Sequence, residues 1–501
     1  MLAVLLGAVA CYGVLAVTEP PGPGLDPDTM SYLGAAESLV RHGTLRIPAA
    51  HWPSDDSTEA LGHFPPGFPI LIAVPVALGA PPPQAARGIE AAAAFATVAF
   101  AVWLVGAVAG PGAGVLAGVV LIVSPSFAFD HWQVVSEPLC LALLMATLAL
   151  MTYSSKPWTY GLAAAAAGFV RYAAVASTGA VALWAYAMGG SRRERLRRAA
   201  VAAAPSVVVQ TLWVLRSAAE AGEVRSFGLR GGLGATFREL MSTLGAWLAP
   251  SVPGAWTQGA LAVAVGVVAV AALVRETRPP HGASAGAPAT SRGPRFLAAA
   301  TLLAGCYAAF VTFSRLFVDA TIPFDVRILS PFIVLTEVAA VAAFAAAWRR
   351  WGTRWRAAAA LAALAWLAGS ALATVQAVRD ALDGGWGYAS DESRASRLGA
   401  WLRADGAGHA IFSNNTATAW FFTHRPSRDL PETLEADTVA AFGRVLRAEH
   451  GVLVQFPFDL EAAAPPDSLA NRLGLIEMAR FPDGTVWAPP PGRGGGGRPR
   501  S

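Results

Sequence analysis

Apolar residues gather in long runs through the first three quarters of the chain. They lie at about 2–17, 67–80, 88–108, 112–127, 137–153, 157–170, 172–188, 199–217, 258–274, 296–314, 329–348 and 357–378. A bilayer core takes about 20 apolar helical residues to cross, and most of these runs approach that length. They predict an all-α polytopic membrane protein with roughly 11–13 transmembrane helices. A transmembrane β-barrel would instead show segments of about ten residues with alternating polarity, and the sequence has none.

The pattern changes after Val378. Polar and charged residues return, with helical periodicity over Asp391 to Arg403 and Glu432 to His450. Short strand-like runs stand at Ala410 to Phe412, Val452 to Phe456 and Thr485 to Trp487. The expected organisation is a membrane domain over 1–378 with an outer loop at 18–66. A small α/β extracytoplasmic domain over 379–490 and a disordered Gly/Arg tail at 491–501 follow.

Arginine in short loops marks the cytoplasmic side. The segments from Arg192 to Arg198 and from Arg349 to Arg356 are the strongest such markers, and a Gly/Ala/Ser-rich linker at 275–295 is a third. With those loops inside, the loop at 18–66, the stretch 218–257, the loop 315–328 and the C-terminal domain lie outside. Twelve runs and an inside N-terminus would leave the C-terminus inside, so one of 67–80, 112–127 or 157–170 is expected to be a half-span, or two runs merge. Met1 to Val17 lacks the basic start of a signal peptide and reads as a retained span, possible late start site included. The expected location is a bacterial-type inner membrane.

Composition agrees with the pattern. The 501 residues are 54% hydrophobic and only 14% charged, where soluble chains carry roughly a quarter. The net charge of +4 comes with no basic face interleaved with aromatics, so no nucleic-acid partner is expected. Cys11, Cys140 and Cys306 all fall inside apolar runs, without the spacing of a disulfide framework or zinc site.

In so apolar a chain the polar interruptions carry the chemistry. The outer loop holds Asp26, Pro27 and Asp28, then Tyr32, Leu33, Ala36, Leu39 and Val40 at helical spacing, which predicts an amphipathic helix along the membrane surface. Asp28 near its start is either a helix cap or a carboxylate held as general base. His63 opens a stiff re-entry, followed by Phe64-Pro65-Pro66-Gly67-Phe68-Pro69. Glu137 heads an apolar run, with Asp130 and His131 just before it. Arg171 interrupts an alanine-rich stretch, and Arg327 starts an apolar run on the expected outer side. An arginine at either place needs an anionic partner or ligand, or else snorkels to lipid headgroups. Asn414-Asn415-Thr416 matches a glycosylation acceptor, a short pattern frequent by chance.

In order and placement these pieces resemble the GT-C glycosyltransferases, in particular the branch of protein mannosyltransferases and aminoarabinose transferases that use polyprenyl-phosphate sugars. The motifs are Asp28-Thr29-Met30-Ser31-Tyr32-Leu33, Pro65-Pro66-Gly67-Phe68-Pro69, Ser136-Glu137-Pro138-Leu139, Arg171 after a Gly/Ala-rich run, and Arg327 to Pro331. The resemblance covers about 1–380 and implies that Asp28 is the catalytic carboxylate, with Glu137 near the site. Arg171, Arg327, Tyr32 and His63 would serve the donor and its lipid phosphate. The family often has two adjacent acids where this chain has Asp28 and Thr29, which leaves Asp26 as the stand-in. The partners implied are a polyprenyl-phosphate sugar, membrane lipid, and a glycan, lipid or protein acceptor in the cell envelope. No cofactor is expected, and a divalent metal is left open. Two rival readings stand beside this one: a polytopic transporter or lipid flippase, whose polar groups would lie at the midplane between related halves, and an assembly protein whose outer domain binds a partner.

Overall fold

The computed structural model describes residues 1–54, 56–220, 228–229, 232–248, 292–458 and 464–491. Every apolar run named above is helical except 258–274, which lies outside the described residues, as do most of the linker at 275–295 and the tail from 492. Five described helices are long and apolar enough to cross a membrane: Pro82–Ala109, Arg192–Glu220, Arg292–Phe317, Val326–Trp348 and Thr353–Gly384. A sixth span forms if the pair Pro111–Val123 and Pro125–His131, bent by 62°, is taken together. Shorter apolar helices cover Leu2–Val17, Gly67–Ala77 and Glu137–Tyr153. The chain is a multi-pass membrane protein.

The fold divides into two compact units. The first comprises Met1–Pro23, Gly62–Leu71 and Pro83–Asp383, and the second Gly24–Leu61, Ile72–Pro82 and Gly384–Ser501.

In the first unit, the helix Pro157–Val170 packs against Arg192–Glu220 and Glu137–Tyr153, and Val326–Trp348 packs against Arg292–Phe317. Only 6% of the most apolar window of Thr353–Gly384 is buried, against 56% for Val326–Trp348. The outer helix thus offers Leu361, Leu364 and Leu372 to lipid, while Val326–Trp348 lies within the bundle. Its start is pinned by a core of Tyr307, Val311, Phe324, Leu329 and Ile333. The break at Ser124 is pinned as well. Ser124 Oγ donates to Glu337 Oε1 at 2.9 Å, and Trp247 Nε1 donates to the same oxygen at 2.8 Å. A serine, an indole and a carboxylate so deep in an apolar bundle need one another, because no water replaces a lost bond there.

The second unit is α/β. Short strands β1 (Arg46–Ile47), β2 (Ala49–Ala50) and β3 (Glu59–Ala60) lie in the loop, and β4 (Ile411–Ser413), β5 (Ser427–Asp429), β6 (Val452–Gln455), β7 (Ile476–Phe481) and β8 (Gly484–Ala488) near the C-terminus. One sheet runs in the order β2-β5-β4-β6-β8-β7. Its β2, β5, β4 and β6 are parallel, whereas β8 and β7 join antiparallel. Leu398, Leu402, Val452, Val454 and Val486 fill one side, and Phe412, Phe442, Leu446, Leu453 and Leu469 the other. Buried Arg428 pairs with Glu449 and donates to Ser54 O at 3.2 Å, tying the loop to the sheet.

Several local expectations change. The Asp391 to Arg403 helix is broken in two, Asp391–Arg394 and Arg397–Arg403, because Ser396 caps the second piece through Gly399 N–H at 2.8 Å. Asn414 is 3% exposed and spans Phe456, accepting from its N–H at 2.8 Å and donating to its carbonyl at 3.0 Å. It is a structural residue of the sheet rather than an open glycosylation acceptor. The surface helix, Pro27–His42, is buried from Thr29 through Ala36 on every side. A stripe facing a membrane surface would leave the polar side open, so this helix is packed into its unit instead.

Candidate active site

The site residues expected from sequence fall into two groups, one in each unit. In the second unit the segment Leu25 to Tyr32 leads into the Pro27–His42 helix. Asp26, not Asp28, caps it: Asp26 Oδ1 accepts Thr29 N–H at 3.0 Å and Thr29 Oγ1–H at 2.9 Å. The Thr29 hydroxyl in turn receives Asp26 N–H at 3.0 Å, which closes a capping box. Threonine at position 29 thus has a structural use. Asp28, relieved of capping, sits half-buried in the first turn at the positive end of the helix, where a carboxylate is favoured. Tyr32, one turn on, is 1% exposed.

In the first unit, Glu137, Arg171 and Arg327 come together. The sequence places each at a helix end: Glu137 begins Glu137–Tyr153, Arg327 is second in Val326–Trp348, and Arg171 follows Pro157–Val170 in extended backbone (φ −147°, ψ 127°). Arg171 Nη1 lies 2.9 Å from Glu137 Oε2, and Arg327 Nε lies 3.3 Å from Glu137 Oε1. Arg171 also donates to Ser136 Oγ at 3.2 Å, and that hydroxyl donates to Glu137 Oε2 at 3.3 Å. The Glu137 side chain is 1% exposed, and those of Arg171 and Arg327 are 13% and 19% exposed. One carboxylate therefore holds two guanidinium groups between the ends of apolar helices. A planar guanidinium presents its N–H donors in a fork that matches the oxygens of carboxylates and phosphates.

Two carboxyl groups stand behind this trio. Asp130, fully buried, is within electrostatic reach of Glu137, Arg171 and Arg327, and Glu90, 1% exposed, within reach of Glu137 and Asp130. In the sequence Asp130 stands out only as a neighbour of Glu137, and Glu90 lies inside the apolar run 88–108. The signal was present in both: an ionisable residue inside a run of membrane apolarity is a functional candidate by default. Among the described residues no group of three or more His, Cys, Asp or Glu side chains is disposed to hold a metal ion.

His63 is exposed and touches Phe64 edge-on at 4.7 Å between ring centres. Its segment is nonetheless fixed beside Arg171. Tyr172, the next residue after Arg171, donates its hydroxyl to Gly62 O at 3.1 Å and receives Trp213 Nε1–H at 2.7 Å. Gly67 approaches Phe169 so closely that a Cβ there would lie 2.6 Å from the Phe169 carbonyl oxygen, so glycine is required in the proline-rich re-entry.

No family model and no curated protein matches the sequence. Solved structures do match the fold. ArnT from Cupriavidus metallidurans, solved bound to undecaprenyl phosphate, superposes with a TM-score of 0.59 at 14% identity, covering 97% of each chain. The arabinofuranosyltransferase AftD from Mycobacteria superposes with a TM-score of 0.52 at 16% identity, over 97% of this chain and 41% of that one. The chain therefore shares its overall fold with these two solved structures.

Proposed function

We propose that the protein is a membrane glycosyltransferase that moves a sugar from a polyprenyl-phosphate carrier to an acceptor outside the cytoplasm. The observation that carries this reading is the Arg171 and Arg327 pair converging on Glu137 among apolar helices. A carrier whose chain lies in lipid brings its phosphate to that depth, and two arginines suit it. The fold shared with a protein solved bound to undecaprenyl phosphate supports the same donor class.

In the proposed reaction Asp28 takes the proton from an acceptor hydroxyl or amine as that oxygen or nitrogen bonds to the sugar's anomeric carbon. The bond from that carbon to the carrier phosphate breaks, and its electron pair leaves with the phosphate. Negative charge grows on the leaving group, where Arg171 and Arg327 stabilise it. Glu137 holds both guanidinium groups in place until then, and Asp26 acts as the cap that fixes the turn. Tyr32 and His63 are assigned to the sugar and phosphate surroundings. The membrane is an inner (plasma) membrane, with the N-terminus cytoplasmic and the C-terminal domain outside.

The experiment is direct. Purified protein in lipid nanodiscs is given radiolabelled polyprenyl-phosphate sugars and envelope extract, and the product is identified. Asp28→Asn is expected to lower transfer by about 10²–10⁴-fold, the usual contribution of a general base. Full activity of Asp28→Asn would remove Asp28 from the chemistry, and absence of transfer from every donor would remove the reaction class.

A further inference from the structure

Asp26 and Asp28 follow directly on Leu25, and Leu25 is held from the other end of the chain. It forms a parallel β-bridge with Gly387. Tyr388 donates its amide N–H to Leu25 O at 2.9 Å, and Leu25 N–H donates to Trp386 O at 3.5 Å. Gly387 has φ of +60°, in the left-handed region, and a Cβ built on it would overlap Leu25 O. Glycine is therefore required twice over, by the backbone angle and by the close approach.

The far side of the bridge is firmly built. The Tyr388 ring stacks on Phe421 at 4.3 Å, and its hydroxyl shares a hydrogen bond with Thr418 Oγ1 at 2.8 Å. Both partners lie on the helix Thr416–Thr423, capped by Asn415 through Thr418 N–H at 2.9 Å. Burial pushes the Tyr388 hydroxyl above the ordinary phenol range, and the Asp26 carboxylate adds to that shift, so Tyr388 lies within electrostatic reach of the cap. The near side has no slack either. Leu25 is bridged, Asp26 is locked in its capping box, and Pro27 fixes its own φ near −65°.

We propose that Gly387 is a positioning residue for Asp28: its close approach to Leu25 sets the direction in which the Asp26–Asp28 turn enters the helix, and so places the Asp28 carboxylate. The proposal rests on the reading of Asp28 as general base. A general base must come within hydrogen-bond reach of the proton it takes, and a misplacement of about 1 Å costs about a hundredfold. Gly387 contributes no group to the reaction. Because the donor phosphate is assigned chiefly to Arg171 and Arg327, a displaced Asp28 turn slows the chemical step more than it weakens donor binding.

The test uses full-length protein in nanodiscs, assayed for donor kinetics and for hydrogen exchange at backbone amides. Gly387→Ala brings both the overlap and the unfavourable φ. Gly387→Asn brings the overlap alone, because asparagine tolerates positive φ, and it carries the test should the alanine variant fold poorly. Gly384→Ala, with nothing within 4 Å of the new Cβ, is the control. Expected for both Gly387 variants are a kcat lower by about a hundredfold, a donor KM changed far less than kcat, and faster exchange over residues 25–29. Exchange over Glu137–Tyr153 stays as in the wild type. Wild-type kcat with faster exchange at 25–29 overturns the proposal, as does unaltered exchange with lost activity. Fast exchange of the Tyr388 amide in the wild type overturns it without any variant. If Asp28→Asn is inactive while the Gly387 variants keep their kcat, only the positioning role fails. If Asp28→Asn is fully active, the base reading fails first.

Discussion

The two units hold their functional charges by opposite means. In the helical unit Glu137 pairs with Arg171 and Arg327, and Ser136 bonds to both Glu137 and Arg171. In the second unit the carboxylate of Asp26 is satisfied by the chain itself, through the Thr29 amide and hydroxyl. The difference follows from the surroundings. Glu137 also opens a helix, but it is buried among apolar helices beside two guanidinium groups, and a buried carboxylate is held by opposite charge. At a helix start outside such a bundle the first amides are open, and a carboxylate two or three residues away takes them. The ion cluster therefore depends on three distant parts of the sequence, and the aspartate turn on one.

This contrast can be broken or sharpened by substitution. Glu137→Ala removes the carboxylate that two guanidinium groups share, and the expected loss of stability is about 3–5 kcal/mol, read as a lower Tm in detergent. A loss below about 1 kcal/mol, the scale of an exposed pair, would mean the arginines do not depend on Glu137. Asn414→Ala lies between the two regimes. It removes both bonds to the Phe456 backbone inside the sheet, and should cost about 1–3 kcal/mol. Denaturant midpoints of Asn414→Ala and Asn414→Asp would show whether the lost acceptor or the lost donor matters more. Asp26→Ala loses a cap alone, about 1 kcal/mol, and Asp26→Asn, which still caps, should lose little. An Asp26→Ala effect as large as that of Glu137→Ala would end the distinction between the two sites.

Much of the helical unit was legible because the membrane imposes one rule, a long apolar run, on every span. Glu137, Arg171 and Arg327 were legible for the same reason, as exceptions to that rule. Glu90 and Glu337 were equally exceptional but lie inside otherwise regular runs, and only the fold shows what faces them. The second unit gave less away. Its β4, β6 and β8 coincide with the apolar runs at 410–412, 452–456 and 485–487. By contrast β5 is Ser427–Asp429, polar by composition and buried by pairing, and β2 is two alanines. Neither has a local pattern to read. Which aspartate caps the helix is likewise hard to read from sequence alone. Asp26 and Asp28 have equal propensity for the position, and Pro27, acceptable as the first helical residue, decides in favour of Asp26.

The pairing of β2 with β5 bears on the order in which this chain folds. Ala49 and Ala50 are made early, and their partners Ser427 and Arg428 close to the end. Loop-closure entropy must be overcome before such a contact gives any return, so the edge strand joins late and slowly. Until then the aspartate turn has its own cap but no sheet beside it. A chain that stops short of Ser427 can complete many of its helices and still leave the Ala49–Ala50 segment without a ladder.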